Sequence, residues 1–148
     1  MTERYAFRPY RPGDAPACFR LFDANCPQFF APNERQDLVE FLRVPPAGYE
    51  VALLGDEVVA AFGVLREAGE LHLRWIMVSP AQQGRGLGRL IMARATAIVL
   101  AEGEKNLRIA TSHLSEKFFL KFGAQEVART PDGWGPGMHR VDLVLALG

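Results

Sequence analysis

Cysteine is nearly absent from the 148 residues. Cys18 and Cys26 are the only two, too few for a disulfide framework, and no Cys/His spacing resembles a zinc site, so no metal is expected. Net charge is absent as well. Seventeen Lys and Arg cancel seventeen Asp and Glu, which argues against general affinity for nucleic acid or for an anionic membrane, although a local basic patch survives such averaging. No apolar run approaches the ~20 residues that span a bilayer. The start, Met1-Thr2-Glu3-Arg4-Tyr5, is charged at once and lacks the apolar core of an export signal. What is present is ordinary for a globular chain: 49% apolar and 23% charged residues, which excludes disorder and collagen or coiled-coil rods. About 150 residues make one domain, and a domain of that size buries roughly 70% of its unfolded surface. The expectation is one soluble, cytoplasmic domain over residues 1–148.

Strand-like and helix-like patterns alternate without an internal repeat. Residues 3–9 read as a short aromatic strand. Pro12-Gly13-Asp14 then opens a helix, with Asp14 as N-cap and Cys18, Leu21 and Phe22 as its apolar face. Cys26-Pro27 breaks it. Asn33-Glu34-Arg35-Gln36 has the form of a capping box, starting a second helix through Leu38, Phe41 and Leu42 that Pro45-Pro46 stops. Three hairpin-connected strands follow: 49–54, 58–65 and 71–78, with turns at Gly55-Asp56 and Ala68-Gly69. The longest helix carries Leu87, Leu90, Ile91, Ala95 and Ile98 at the 3.6 period and ends at Gly103. Residues 107–111 read as a strand, 115–122 as a short helix stopped by Gly123, 124–128 as a strand, 130–137 as a loop and 141–147 as the closing strand. The order β-α-α-β-β-β-α-β-α-β-β implies an α/β or α+β sandwich around a mixed sheet. Between the first two helices, Pro27-Gln28-Phe29-Phe30-Ala31-Pro32 is too aromatic for a solvated loop. It packs over a cleft or into a homodimer contact.

Between the third of those strands and the long helix lies Gln83-Gly84-Arg85-Gly86-Leu87-Gly88-Arg89. Glycines there let backbone approach a ligand, a helix N-terminus offers unpaired N–H groups, and Arg85 and Arg89 add charge, so a phosphate or pyrophosphate is the natural guest. A plain turn is the competing reading of a lone Gly-x-Gly. A P-loop would end in Gly-Lys-Ser/Thr, whereas this turn ends Gly88-Arg89-Leu90. A dinucleotide fingerprint would need glycine where Arg89 stands and would open its domain rather than follow a meander.

Val78-Ser79-Pro80-Ala81-Gln82-Gln83-Gly84-Arg85-Gly86-Leu87-Gly88 resembles the signature of the GNAT superfamily of N-acetyltransferases: a strand ending in Val-x-Pro, a spacer, then Gln/Arg-x-x-Gly-x-Gly/Ala opening a helix. Gln83, Gly86 and Gly88 match its three fixed places, and the order of elements matches nearly end to end. The resemblance implies a mixed, mostly antiparallel sheet of about seven strands flanked by about four helices, splayed between the fourth and fifth strands. It implies acetyl-CoA as co-substrate and a small-molecule or peptide primary amine as acceptor, attacking the thioester directly. The pyrophosphate would take N–H groups from the turn Gln83, Gly84, Arg85, Gly86, Leu87, Gly88 and Arg89. The pantetheine arm would pair with the backbone edge of Ile76, Met77 and Val78.

The family's acid is where this chain departs. Members often carry Asn, Ala and Tyr where alignment on Phe122-Gly123 puts Ser112, Ser115 and Phe119. Phe119 packs against the arm but donates no proton, so Ser115 or His113 substitutes, the thiolate leaves unassisted, or the protein binds acyl-CoA without catalysis. For the base, His72 shares a strand face with Arg74, and imidazoles titrate at about 6.5, suited to taking a proton near neutral pH. The competing reading is a strand histidine with no task. Glu50 and Glu70 are weaker candidates. Trp134, His139 and Arg140, with Arg74, would frame an acceptor bearing a carboxylate. Alternatively Trp134 anchors its loop and the arginines are solvated. Cys18 is read as a core residue, and Cys26 lacks the basic neighbour that a nucleophilic thiol requires.

Overall fold

The structure, a computed structural model, describes residues 5–44 and 47–148. The charged start and the Pro45-Pro46 stop lie outside the described residues. Strand β1 (Tyr5–Pro9) leads through a 3₁₀ turn to helices α1 (Ala15–Ala24) and α2 (Glu34–Arg43). The meander β2 (Tyr49–Leu54), β3 (Glu57–Glu67) and β4 (Glu70–Val78) follows, then α3 (Leu87–Ala101), β5 (Asn106–Ser112), α4 (Glu116–Leu120), β6 (Gln125–Gly135) and β7 (Met138–Ala146). The seven strands form one sheet in the order β1-β2-β3-β4-β5-β7-β6. Every pair is antiparallel except β4 with β5. No helix among the described residues is long and apolar enough to cross a membrane.

Period-two alternation divides the buried side chains between the sheet's two faces. Ala60, Phe62 and Val64 of β3 pack with Leu87, Ile91, Ala95 and Val99 of α3. Ala61 and Met77 face the other way, onto Cys18, Phe22, Leu38 and Leu42 of α1 and α2. Cys18 is thus a core residue, and burial pushes its thiol up to about 12.

Three local expectations are corrected. Asp14 does not cap α1: its carboxylate accepts the Arg11 N–H at 2.8 Å and both terminal nitrogens of Arg8 at 2.8 and 2.9 Å. That ion pair holds the Asp14 carboxyl below the usual range. The capping box at α2 is shifted: Asn33 sends its amide to the Trp134 carbonyl (2.7 Å), and the Glu34 carboxylate accepts the Ala31 N–H (2.7 Å). The expected loop 130–137 belongs mostly to β6. Its turn residues produce a large bulge, because Thr130 pairs with Arg140 and Gly135 with Met138, setting residues 131–134 of β6 against the single residue 139 of β7.

The consequential irregularity is in β4. Gly63 pairs with Arg74 and Ala61 with Met77, so β4 carries one residue more than β3 across this stretch. Trp75 absorbs it at a φ of +47°, a region bulky side chains seldom occupy. The fully buried Tyr49 holds the bulge by donating its hydroxyl to the Trp75 carbonyl at 2.7 Å. Gly63 makes room for that ring, since a Cβ there would sit 2.7 Å from Tyr49 Cδ1. A bulge bends its strand and raises its twist. Pairing of β4 with β5 accordingly ends after His72 with Arg108 and Leu73 with Ile109, and the strands diverge.

Removing the hydroxyl tests this support. Tyr49→Phe leaves the Trp75 carbonyl without its partner and should cost about 1–2 kcal/mol, read as a lower urea midpoint with an unchanged slope. A wild-type midpoint would show that the bulge is held by other means.

Candidate active site

Where β4 and β5 part, a cavity of about 660 Å³ opens, walled by residues 73–78 of β4 and 109–112 of β5. One end is the glycine-rich turn. After β4 the chain passes a 3₁₀ turn at Pro80–Gln82 and reaches Gly84 and Gly86, whose φ angles of +79° and +87° exclude most side chains. A Cβ on either would meet nothing within 4 Å, so these glycines serve backbone direction and leave open space above the turn. Gly88 serves packing: a Cβ there would lie 2.9 Å from the Phe118 ring.

Gly86 caps α3, and the first helical bond runs from the Leu90 N–H to the Gly86 carbonyl. The N–H groups of Leu87, Gly88 and Arg89 therefore have no acceptor within the helix. The first turn of α3 contains no acidic residue, and Arg89 places a cation at the positive end of the helix dipole, where only an anion makes it favourable. The Gln83 side chain is already engaged. Its Nε2 donates to Asn25 Oδ1 and to the Val78 carbonyl, both at 3.1 Å. Asn25 Nδ2 donates to Leu21 O and also to Val78 O. Two amides thus tie the turn to α1, and the Val78 carbonyl is no longer a free edge group.

The other end is aromatic. Phe29 and Phe30 of the α1–α2 connection, Trp75 of the bulge and Trp134 of the β6 bulge line it together with Glu34. Phe30 and Trp75 have centroids 5.8 Å apart. Trp134 is pinned by its indole N–H to Thr111 O at 2.9 Å, while Asn33 binds its carbonyl, so the hairpin leans on the start of α2. The aromatic segment after Pro27 does pack over the cleft. Glu34 is 4% exposed. Burial pushes its carboxyl up to about 7, with Asp37 contributing in the same direction and the Ala31 N–H opposing.

Of the residues singled out in the sequence, Arg74, Ile76, Met77, Val78, Gln83, Gly84, Gly86, Gly88, Arg89, Ser112, Ser115, Phe119 and Trp134 line this one cavity. Arg85, Leu87, His72, His113, His139 and Arg140 do not. Leu87 points its side chain into the core. His72 lies in the stretch still paired with β5, before the bulge opens the cleft, so it is not placed as a base. Glu50 is ion-paired with Arg94 and Glu70 with Arg108. The rings of His113 and His139 lie 4.6 Å apart, tilted by 41°, and neither lines the cavity. Each Nδ1 is taken, His113 by the His139 N–H and His139 by the Asp132 N–H. Of the two candidate substitutes for the acid, Ser115 is the one that lines the cavity, its Oγ 3.4 Å from Ser112 Oγ. The two arginines expected to frame a carboxylate are neutralised, Arg74 by Glu67 and Arg140 by Asp142. Sequence reasoning missed Asn25, which precedes the Cys26-Pro27 break without a signal of its own, and Glu34, whose only signal was a capping motif. Cys26 is half-buried, with its thiol raised by burial and by Asp23 and Glu34, unlike a nucleophile.

A family model described as the acetyltransferase (GNAT) family matches residues 16–124. Among solved structures, a Desulfovibrio desulfuricans protein described as a GNAT-family acetyltransferase is 26% identical, with 98% of this chain and 100% of that one covered at a TM-score of 0.77. The Ard1 protein of Thermoplasma volcanium is 14% identical, covering 97% and 98% at 0.82. The Salmonella typhimurium protein yncA, solved with its cofactor acetyl-CoA, is 16% identical, covering 98% and 95% at 0.71. No curated protein matches the chain in sequence.

The buried carboxyl has a consequence for stability. An acid whose folded pKa is raised favours the folded state when protonated, so stability falls as pH climbs from about 4.5 through about 7. Glu34→Gln keeps an oxygen for the Ala31 N–H and removes that loss. Its gain over wild type should be near zero at pH 4.5 and reach up to about 3 kcal/mol at pH 8, measured by denaturant unfolding at both values. A pH-independent difference would mean that Glu34 titrates like an exposed carboxylate.

Proposed function

The chain belongs to the acetyltransferase (GNAT) family, and from that premise we propose that it transfers an acetyl group from acetyl-CoA to a primary amine. The observation that carries this reading is the continuity of the cleft: a helix start with unpaired N–H groups, an unpaired strand edge and an aromatic-lined chamber lie along one cavity. The free N–H groups of Leu87, Gly88 and Arg89 and the guanidinium of Arg89 would bind the pyrophosphate. The edge at Ile76 and Met77 would hold the pantetheine arm by adding a half-strand, with the Val78 carbonyl excluded because Asn25 and Gln83 occupy it. Phe118, Phe119 and Phe122 would pack along the arm. Acetyl-CoA supplies, when bound, an acetyl thioester for an amine to attack. The chain's part is to aim the two ends at one another, to exclude water with aromatic walls and to manage protons.

The proton for the departing thiolate is the open point on this chain. Phe119 has no hydroxyl, and Ser115 is the donor with access. A second reading, an acyl-CoA-binding module without turnover, is favoured by Phe119 alone. Incubation with acetyl-CoA and a panel of primary amines separates the two, with thiol release above the no-enzyme rate expected for a transferase and binding without release for a module.

Two outcomes follow for variants. CoA at about 100 times its dissociation constant should stabilise the protein by about 2.7 kcal/mol. Arg89→Glu reverses the charge at the helix start without backbone strain and should remove most of that melting shift; an unchanged shift would place the anion elsewhere. Phe119→Tyr adds a hydroxyl at the cavity wall and should raise turnover, or leave it level if Ser115 already serves. A loss of CoA binding would mean the ring sits too tightly against the arm to tolerate the added oxygen.

A further inference from the structure

We propose that Glu34 is the docking group and proton acceptor for the acceptor amine, and that its chamber selects amines with an aromatic or apolar body and no carboxylate. This rests on the acetyltransferase reading for its chemistry and on the chamber itself for its specificity.

Glu34 lines the chamber, and no salt bridge to it from an arginine or lysine is found among the described residues. It accepts the Ala31 N–H at 2.7 Å. The nearby arginines are committed: Arg35 to Asp23, Arg74 to Glu67 and Arg140 to Asp142. A nearly buried carboxylate without a counter-charge is costly, and its cost falls when a ligand brings a cation. Phe30, Trp75 and Trp134 line the same space, and aromatic faces attract a desolvated ammonium. An acceptor carboxylate, by contrast, would meet the Glu34 carboxylate, with Arg35, Arg74 and Arg140 already held by Asp23, Glu67 and Asp142, a built-in rejection of amino acids.

The proton step balances simply. One N–H bond of the ammonium breaks and an O–H bond forms on Glu34, so the positive and negative charges cancel and the nitrogen lone pair is freed. Glu34 later returns that proton to solvent. Burial raises its basicity above that of an exposed carboxylate, which suits it to this step. The charged groups around it are Asp37 on its own helix, Arg74 of β4 bound to Glu67, Arg140 of β7 bound to Asp142 beside Trp134, and, on the cavity lining, Arg89 of α3 and Lys121 after α4.

Both tryptophans of the chain, Trp75 and Trp134, line the chamber, so intrinsic fluorescence reads amine binding without turnover. With CoA present, 2-phenylethylamine should give a saturable change whose affinity rises as pH passes about 7. L-Phenylalanine should bind roughly tenfold or more weakly, and Glu34→Gln should weaken 2-phenylethylamine by a similar factor. In turnover with 2-phenylethylamine, Glu34→Gln should lower kcat/KM by about 10²-fold or more and abolish the acid limb, with the CoA melting shift kept. Equal binding of the two probes, affinity in wild type that is flat between pH 6 and 8, or a Glu34→Gln variant with wild-type affinity and pH profile would each overturn the proposal. Wild type that binds 2-phenylethylamine in this pH-dependent way but releases no thiol with any amine would instead overturn the acetyltransferase reading and leave the docking role standing.

Discussion

One extra residue in β4 determines the rest of the molecule. With Trp75 held at positive φ by the Tyr49 hydroxyl, the strand bends away from β5 and leaves two backbone edges facing a gap instead of each other. Without that bulge the parallel pair would continue past Leu73 and Ile109, and the sheet would have no interior site. The strain of a bulky residue at that dihedral is about 1–2 kcal/mol, similar to the single buried hydrogen bond that opposes it. Gly63 belongs to the same device, because any side chain there would displace the Tyr49 ring.

The cleft so formed is electrically divided. At the α3 end, three unpaired N–H groups and Arg89 await an anion. At the other end a buried carboxylate stands among aromatic rings without a counter-ion. A substrate pair with negative charge on one member and positive charge on the other satisfies both ends at once. The arginines that could have blurred this division are spent on surface carboxylates: Arg74 reaches Glu67 while lying over Phe41, and Arg140 reaches Asp142 while lying over Trp134. They brace the walls with their charge balanced by those carboxylates.

How much of this was legible varies with the range of the interaction. The turn at Gly84-Arg85-Gly86 was readable because left-handed backbone and a helix start are properties of adjacent residues, and α3 was readable from the spacing of Leu87, Ile91 and Ala95. His72 shared a face with Arg74, as period two requires, yet only one of them reached the cavity, because an inserted residue farther along the strand decides where the opening begins. Pro131-Asp132-Gly133 was a correct turn signal with the wrong consequence, a bulge inside β6 that carries Trp134 to Thr111. Asn33 and Glu34 were recognised as helix-start residues. Their actual partners, Trp134 and Ala31, turn the same local motif into a clamp and a site carboxylate.

By itself the sequence determined the order of strands and helices, the glycine-rich turn and the family signature, since periodicity, glycine placement and capping act over a few consecutive residues. Tertiary structure alone decided which ionisable groups share the cleft. Burial, desolvation and ion pairing are set by elements distant in the chain, and it is the meeting of the α1–α2 connection, the β4 bulge and the β6–β7 hairpin that leaves Glu34 buried among aromatic rings while Arg35, Arg74 and Arg140 are held by other carboxylates.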